Sequence, residues 1–171
     1  MRIYVPATLD ELTGAAVTAG GARWDLPARV VHAVTPALAA AYPEDDDEGH
    51  EYAAFLAAAD DSLALVAARP AAVPLRAVVS LDVPDGVVTP ARAEPGADTA
   101  ESAVEAAAVP GVEIVAVHVD EPEAAADVRA VLTAADGPDD QDDALDAALE
   151  RVTDRDLLWY DPTEIGEIPR P

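Results

Sequence analysis

Val112-Glu-Ile-Val-Ala-Val-His-Val-Asp120 is the longest run of β-branched and apolar residues in the chain, and it ends on a histidine and an aspartate. Apolar residues on both sides of a two-residue alternation suit a strand buried on both faces, so this stretch reads as the central strand of a sheet. The other elements are read as packing around it.

Before it, Arg2–Ala7, Arg29–Thr35 and Leu75–Val83 read as strands, and Asp156–Tyr160 reads as a short one after it. Helical signals fall between them. Thr8-Leu-Asp-Glu11 has the capping-box spacing and opens a helix to about Ala19, which Gly20-Gly21 stops. Thr35-Pro36 starts a short helix that ends near Tyr42-Pro43. The acidic run Glu44–Glu48 leads into the longest helix, about Gly49 to Arg69, with Tyr52, Phe55, Leu56, Leu63 and Val66 as its apolar stripe. Asp98-Thr-Ala-Glu101 caps a short helix closed by Pro110-Gly111. Asp120-Glu-Pro-Glu123 caps a helix to about Ala135. Asp136–Asp143 reads as a mobile acidic loop, and a helix bearing Leu145, Leu149 and Val152 follows. Val87–Ala97 reads as loop.

Strands alternating with helices predict an α/β or α+β fold. The expectation is a single layered domain over residues 1–162: a mixed sheet of about five strands with helices mainly on one face. Residues 163–171 read as a loosely ordered C-terminal tail.

Residues two apart on a strand share a face. One set is uniformly apolar: Ile3 and Val5; Val31 and Ala33; Ala77, Val79 and Leu81; Val115 and Val117; Leu157 and Trp159. It is expected to lie under the helices. The complementary set collects Tyr4, His32, Arg76, Ser80, Asp82, Ile114, His118 and Tyr160. If the strands match in this way, one side of the sheet is a polar, aromatic floor.

Composition limits the chemistry. Of 171 residues, 51% are hydrophobic but only 4% aromatic, so each large ring counts for more than usual. The absence of cysteine excludes disulfides, thiolate metal sites and cysteine nucleophiles. All ten cations are arginine, so neither Schiff-base chemistry nor a P-loop lysine is available. A net charge of −24 provides no basic footprint, and direct nucleic-acid binding is not expected. Solubility and GC-rich coding account for the acidity most simply; salt adaptation and mimicry of nucleic acid toward a basic partner are the other readings. No signal peptide and no apolar run of membrane length are found, which predicts a cytoplasmic protein.

Glycine-rich phosphate loops, GxSxG elbows and HExxH pairs are all missing. His50-Glu51 has no second histidine four residues on. The candidate ligand-binding residues are therefore those of the floor and its end: Tyr4, His32, Asp82, His118, Asp120 and Tyr160. His32, His118 and Asp82 have the composition of a two-histidine, one-carboxylate metal site, on three separate strands. His118 with Asp120 has that of a base and its orienting partner, although Asp120 is also claimed as a helix cap. Tyr4, Tyr160 and Trp159 are candidates for a wall against a small ligand or peptide. For each, the simpler reading is packing and local hydrogen bonding. No catalytic residue, resident metal or cofactor is assigned.

Arg2-Ile-Tyr-Val-Pro-Ala-Thr8, His32-Ala-Val-Thr-Pro-Ala37, Glu51-Tyr-Ala-Ala54, Val117-His-Val-Asp120 and Leu157-Leu-Trp-Tyr-Asp161 together resemble a family of small actinobacterial proteins of unknown function. The resemblance implies a bacterial, cytoplasmic, single-domain protein, and it carries no activity or ligand. The first functional expectation is a non-enzymatic binding or regulatory domain using the polar, aromatic face, with a protein partner or a homodimer as possibilities. The alternatives are a small enzyme or metal-binding protein built on His32, His118 and Asp82 or Asp120, and an acidic decoy for a basic partner.

Overall fold

A computed structural model describes residues 1–91, 99–137 and 142–171. At its centre is one sheet of nine strands, where about five were expected, and every described pairing is antiparallel. The strands are β1 (Arg2–Thr8), β2 (Ala16–Thr18), β3 (Gly21–Leu26), β4 (Arg29–His32), β5 (Arg76–Asp82), β6 (Val88–Pro90), β7 (Ala103–Ala106), β8 (Val109–Asp120) and β9 (Leu157–Tyr160). The helices are α1 (Pro36–Ala41), α2 (Asp47–Ala67), α3 (Ala125–Ala135) and α4 (Asp142–Thr153). The order across the sheet is β2-β3-β8-β5-β1-β4-β7-β6. The fold is thus α+β with an antiparallel sheet, and the Val112–Asp120 run is indeed central: β8 pairs with β5, with β3 along its first part and with β9 along its last.

Two of the unexpected strands replace a predicted helix. Thr8 N donates to Glu11 Oε2 at 2.9 Å, so half of the predicted capping box forms, but it supports only a 3-10 turn over Glu11–Gly14. The chain then makes a hairpin, β2 to β3, closed by the Thr18–Gly21 pair. Gly21 has φ of 138°, a backbone state that favours glycine, so the glycines turn a hairpin instead of ending a helix. β3 alternates cleanly, with Ala22, Trp24 and Leu26 buried. Similarly, Ala103–Ala106 is a strand between β4 and β6, and Pro110-Gly111 lies within β8 instead of closing a helix. The predicted cap at Asp98 and residues 138–141 of the acidic loop lie outside the described residues.

The alternation within β1 and β5 is as predicted, but the cover is reversed. Ile3, Val5, Val31, Val79, Leu81 and Val117 do form one apolar face, buried in the largest cluster. That face packs with Trp24 and Leu26 of β3, with Leu12 and Ile165 of two 3-10 turns, and with Leu9 and Ile168 beside those turns. The long helix lies on the opposite face, over Tyr4 and Val78, with Leu38 of α1 beside it. The expected open, polar floor is therefore largely roofed. α3 and α4 join the far end of α2 through Val66, Val128, Val131, Ala148 and Val152.

The alanines of α2 explain how a helix can sit on that face. Ala54, Ala58, Ala59 and Ser62 are buried, whereas the predicted apolar stripe residues Tyr52 and Leu56 are exposed. Small side chains let the helix axis approach the sheet closely. Ser62 uses the approach: its hydroxyl donates to Ala7 O at 2.7 Å and accepts from Ala77 N at 2.8 Å, tying α2 to β1 and β5 at once. Asp46 caps the helix, accepting from Gly49 N at 2.9 Å.

Two further corrections concern faces. The β5–β8 register shifts between Ser80 and Leu81, so Ile114 faces the apolar core with Leu81 and does not share the His118 face. In β9 it is Trp159 that pairs with His118, while Tyr160 pairs with Val117 and packs against the apolar core. Nor does the chain loosen after Asp161. Asp161 and Glu164 form a capping box on a 3-10 turn over Pro162–Glu167, and Ile165 and Ile168 are buried. No helix among the described residues is long and apolar enough to cross a membrane.

Candidate functional site

Since α2 touches the sheet with its alanines, its larger side chains stand beside the contact and wall a cleft of about 740 Å³. Tyr52, Phe55 and Leu56 line it from α2, and Leu157 and Trp159 from β9. Its floor is the sheet: Tyr4 of β1, Ser80 of β5, and Val115, Ala116 and His118 of β8. The register sets the floor, because Ser80 pairs with both Tyr4 and Ala116, and His118 pairs with both Val78 and Trp159.

The rings form a connected array. Tyr52 stacks on Phe55 with centroids 6.2 Å apart and planes at 18°. Phe55 meets His118 edge-on at 4.9 Å and Tyr4 edge-on at 6.1 Å. Trp159 is 60% exposed and Tyr52 55%, so large apolar surface stands open to solvent at the cleft mouth.

Burial pushes the His118 imidazole pKa down, which favours the neutral ring. Its Nδ1 is buried and has no hydrogen-bond partner among the described residues. The Tyr4 hydroxyl donates to Glu51 Oε2 at 3.0 Å. Burial first, and then that carboxylate, raise its pKa to about 12, so it stays protonated. Two arginines reach the cleft, and both are already paired. Arg2 is held bidentate by Asp82 at 2.8 and 3.0 Å, which raises the arginine and lowers the aspartate. Arg155 binds Asp127 at 2.7 Å and also pairs with Glu121.

The six sequence-derived candidates do not share one site. Tyr4 and His118 line the cleft. Asp82 sits at the sheet rim with Arg2. Asp120 caps no helix: Glu121 takes the N-cap position without a side-chain cap, and the Asp120 carboxylate binds Arg76 in the interior. Tyr160 faces the apolar core. His32 lies elsewhere on the helix-covered side. Among the described residues, no three histidine, aspartate or glutamate side chains gather as a metal site.

His32 makes a second constellation that sequence spacing hid. Its Nε2 lies 3.0 Å from Asp61 Oδ2, and its Nδ1 2.8 Å from Ser102 Oγ. A carboxylate only accepts, so Nε2 donates to Asp61, and the serine hydroxyl can either donate to Nδ1 or accept from it. These are the residue types of a nucleophilic triad, but the exposures are inverted. Ser102 is 1% exposed and does not line the neighbouring cavity of about 370 Å³, while Asp61 is the solvent-facing member. A buried hydroxyl offers no line of attack, and the chain of bonds instead pins β4, α2 and the segment before β7 together.

Tyr52 and Phe55 were legible as rings but were assigned to the buried stripe. The signal for their true position was the Ala54, Ala58, Ser62 row, spaced four apart and marking the contact face. Trp159, expected on the apolar face, instead lines the cleft and pairs with His118.

An antiparallel sheet roofed by an alanine-faced helix, with an aromatic cleft at the helix flank, defines a small α+β protein with a ligand-sized concavity and none of the familiar catalytic motifs among its described residues. The chain belongs to DUF6912, a family of unknown function, whose match spans residues 1–168. No curated protein and no solved structure matches it.

Proposed function

We propose that this protein is a non-enzymatic binding domain whose ligand sits in the cleft between α2 and β9. The observation that carries this reading is the exposure of Trp159 and Tyr52 over a cleft of about 740 Å³. Ligand sites are typically concavities of roughly 300–1,000 Å³, mostly apolar with a few polar groups, and this one has that size and make-up. Leaving two large rings in water costs hydrophobic stabilisation that a bound molecule would recover. A neutral histidine and a protonated tyrosine provide fixed polar groups.

A fragment screen on the isotopically labelled chain, read by NMR, tests this. Apolar and aromatic fragments should shift the signals of Tyr52, Phe55, His118 and Trp159 together and saturably. A double Tyr52→Ala, Trp159→Ala variant should stay folded and lose the effect. Fragments that bind nowhere, or only at other surfaces, would defeat the proposal.

A further inference from the structure

We infer that the cleft's ligand is a small organic cation: an amine or amidine carried on an apolar body. This rests on the binding role proposed above and adds the chemistry of the ligand. The first observation is the charge balance around the cleft. Its two arginines are each held by carboxylates of their own, Arg2 by Asp82, and Arg155 by Asp127 and Glu121. Glu48 and Asp156 line the same cleft with no ion-pair or hydrogen-bond partner among the described residues. Glu51, also in the lining, accepts only the Tyr4 hydroxyl among the described residues. Among the described residues, the lining therefore offers carboxylates held in no ion pair, with Arg2 near enough to Glu51 to feel its charge.

The rings supply the second half of the argument. Tyr52, Phe55 and Trp159 line the cleft, and the quadrupole of an aromatic face attracts a cation. An ammonium group at these rings would have Glu48 and Glu51 beside it in the lining, one helical turn before Tyr52 and Phe55 respectively. His118 in the floor is held neutral by its surroundings and adds no repulsion. The chain's net charge of −24 works in the same direction, drawing cations toward the mouth and repelling anions. The bounded volume favours a free small molecule over the arm of a basic protein.

The test compares three probes of one shape by calorimetry and by NMR: 2-phenylethylamine, 2-phenylethanol and phenylacetate. The ammonium probe should bind in the cleft roughly tenfold more tightly than the alcohol at low salt, a preference that one cation–π contact and a nearby carboxylate are enough to supply. Phenylacetate should bind more weakly than either. Added salt should weaken the amine and leave the alcohol unchanged. A Glu48→Gln, Glu51→Gln variant keeps the shape and should shrink the preference for amine over alcohol several-fold, and an undiminished preference would overturn the role of these carboxylates. Equal binding of amine and alcohol by the native chain would overturn the cation assignment and leave the binding role standing. Failure of all three probes in the cleft would remove both. A short arginine-containing peptide that binds in the cleft more tightly than the free amine would overturn the small-molecule assignment.

Discussion

Arg76 and Asp120 form a bidentate ion pair in the interior, with Nη2 to Oδ1 at 2.8 Å and Nε at 3.1 Å from both carboxylate oxygens. Both side chains are at most 3% exposed. Further bonds extend the pair: Asp120 Oδ2 accepts the Arg76 backbone N–H at 2.8 Å, and Nη2 donates to Arg155 O at 2.9 Å. The pair thus joins β5, β8 and the turn before β9.

Breaking this pair should be costly because the surviving charge would stay buried. Asp120→Ala is expected to destabilise the fold by about 3–5 kcal/mol in urea unfolding. Replacing both partners together, Arg76→Met with Asp120→Leu, should recover most of that loss. A single variant within about 1 kcal/mol of the native chain would mean that water reaches the pair.

The two tryptophans should behave oppositely. Trp24 is 5% exposed in the main core, and Trp24→Ala should cost about 3–5 kcal/mol. Trp159 stands at the cleft mouth, and Trp159→Ala should change stability by less than about 1 kcal/mol. Thermal melts of both variants decide the matter; a large loss at Trp159 would place it in a packed interior.

His118 sets a pH dependence with a definite sign. Its pKa is lowered from 6.5 by burial in the folded chain, so the unfolded chain takes up the proton first. Stability contributed by the neutral ring is fully present above pH 6.5 and declines as pH falls toward the folded pKa. His118→Leu also removes the unpartnered Nδ1. It should flatten the decline between neutral pH and the carboxylate range, and leave stability at neutral pH equal or higher by about 1 kcal/mol. An unaltered pH profile in the variant would show that another group titrates.

The C-terminal segment should be structural. Ile165 and Ile168 are 3% and 4% exposed in the core under the apolar face. Ending the chain after Asp161 should lower the melting temperature strongly, since burying each isoleucine is worth roughly 2–5 kcal/mol against alanine. Ile165→Ala and Ile168→Ala serve as milder checks. Unchanged melting on truncation would mean that the turn is not held against the sheet.

Several of these elements could be read in advance. The β8 run, the long helix near Gly49–Arg69 and the alternation in β1 and β5 follow from periods of 2 and 3.6 residues, which are properties of the local backbone. Misreadings arose where local signals conflict. Thr8-Leu-Asp-Glu11 looks like a helix start, yet the chain that follows pairs as a hairpin on β8, and that pairing partner is nearly ninety residues away, beyond any local window. The rings of α2 looked buried because large apolar residues normally are, but an alanine row on the neighbouring face gave the sheet a closer fit.

For the site, the chain by itself determined which residues were available: few rings, no thiols or lysines, an excess of carboxylates, and Tyr4 and His118 on strands. Tertiary structure decided which of them meet. An extra residue of β8, Val115, opposite the Ser80–Leu81 step turned Ile114 inward, and the β9 register set Trp159, not Tyr160, beside His118. Side-chain direction along a strand is fixed by covalent geometry, whereas register between strands is chosen by hydrogen bonds and packing among distant segments, so only folding could bring the cleft together.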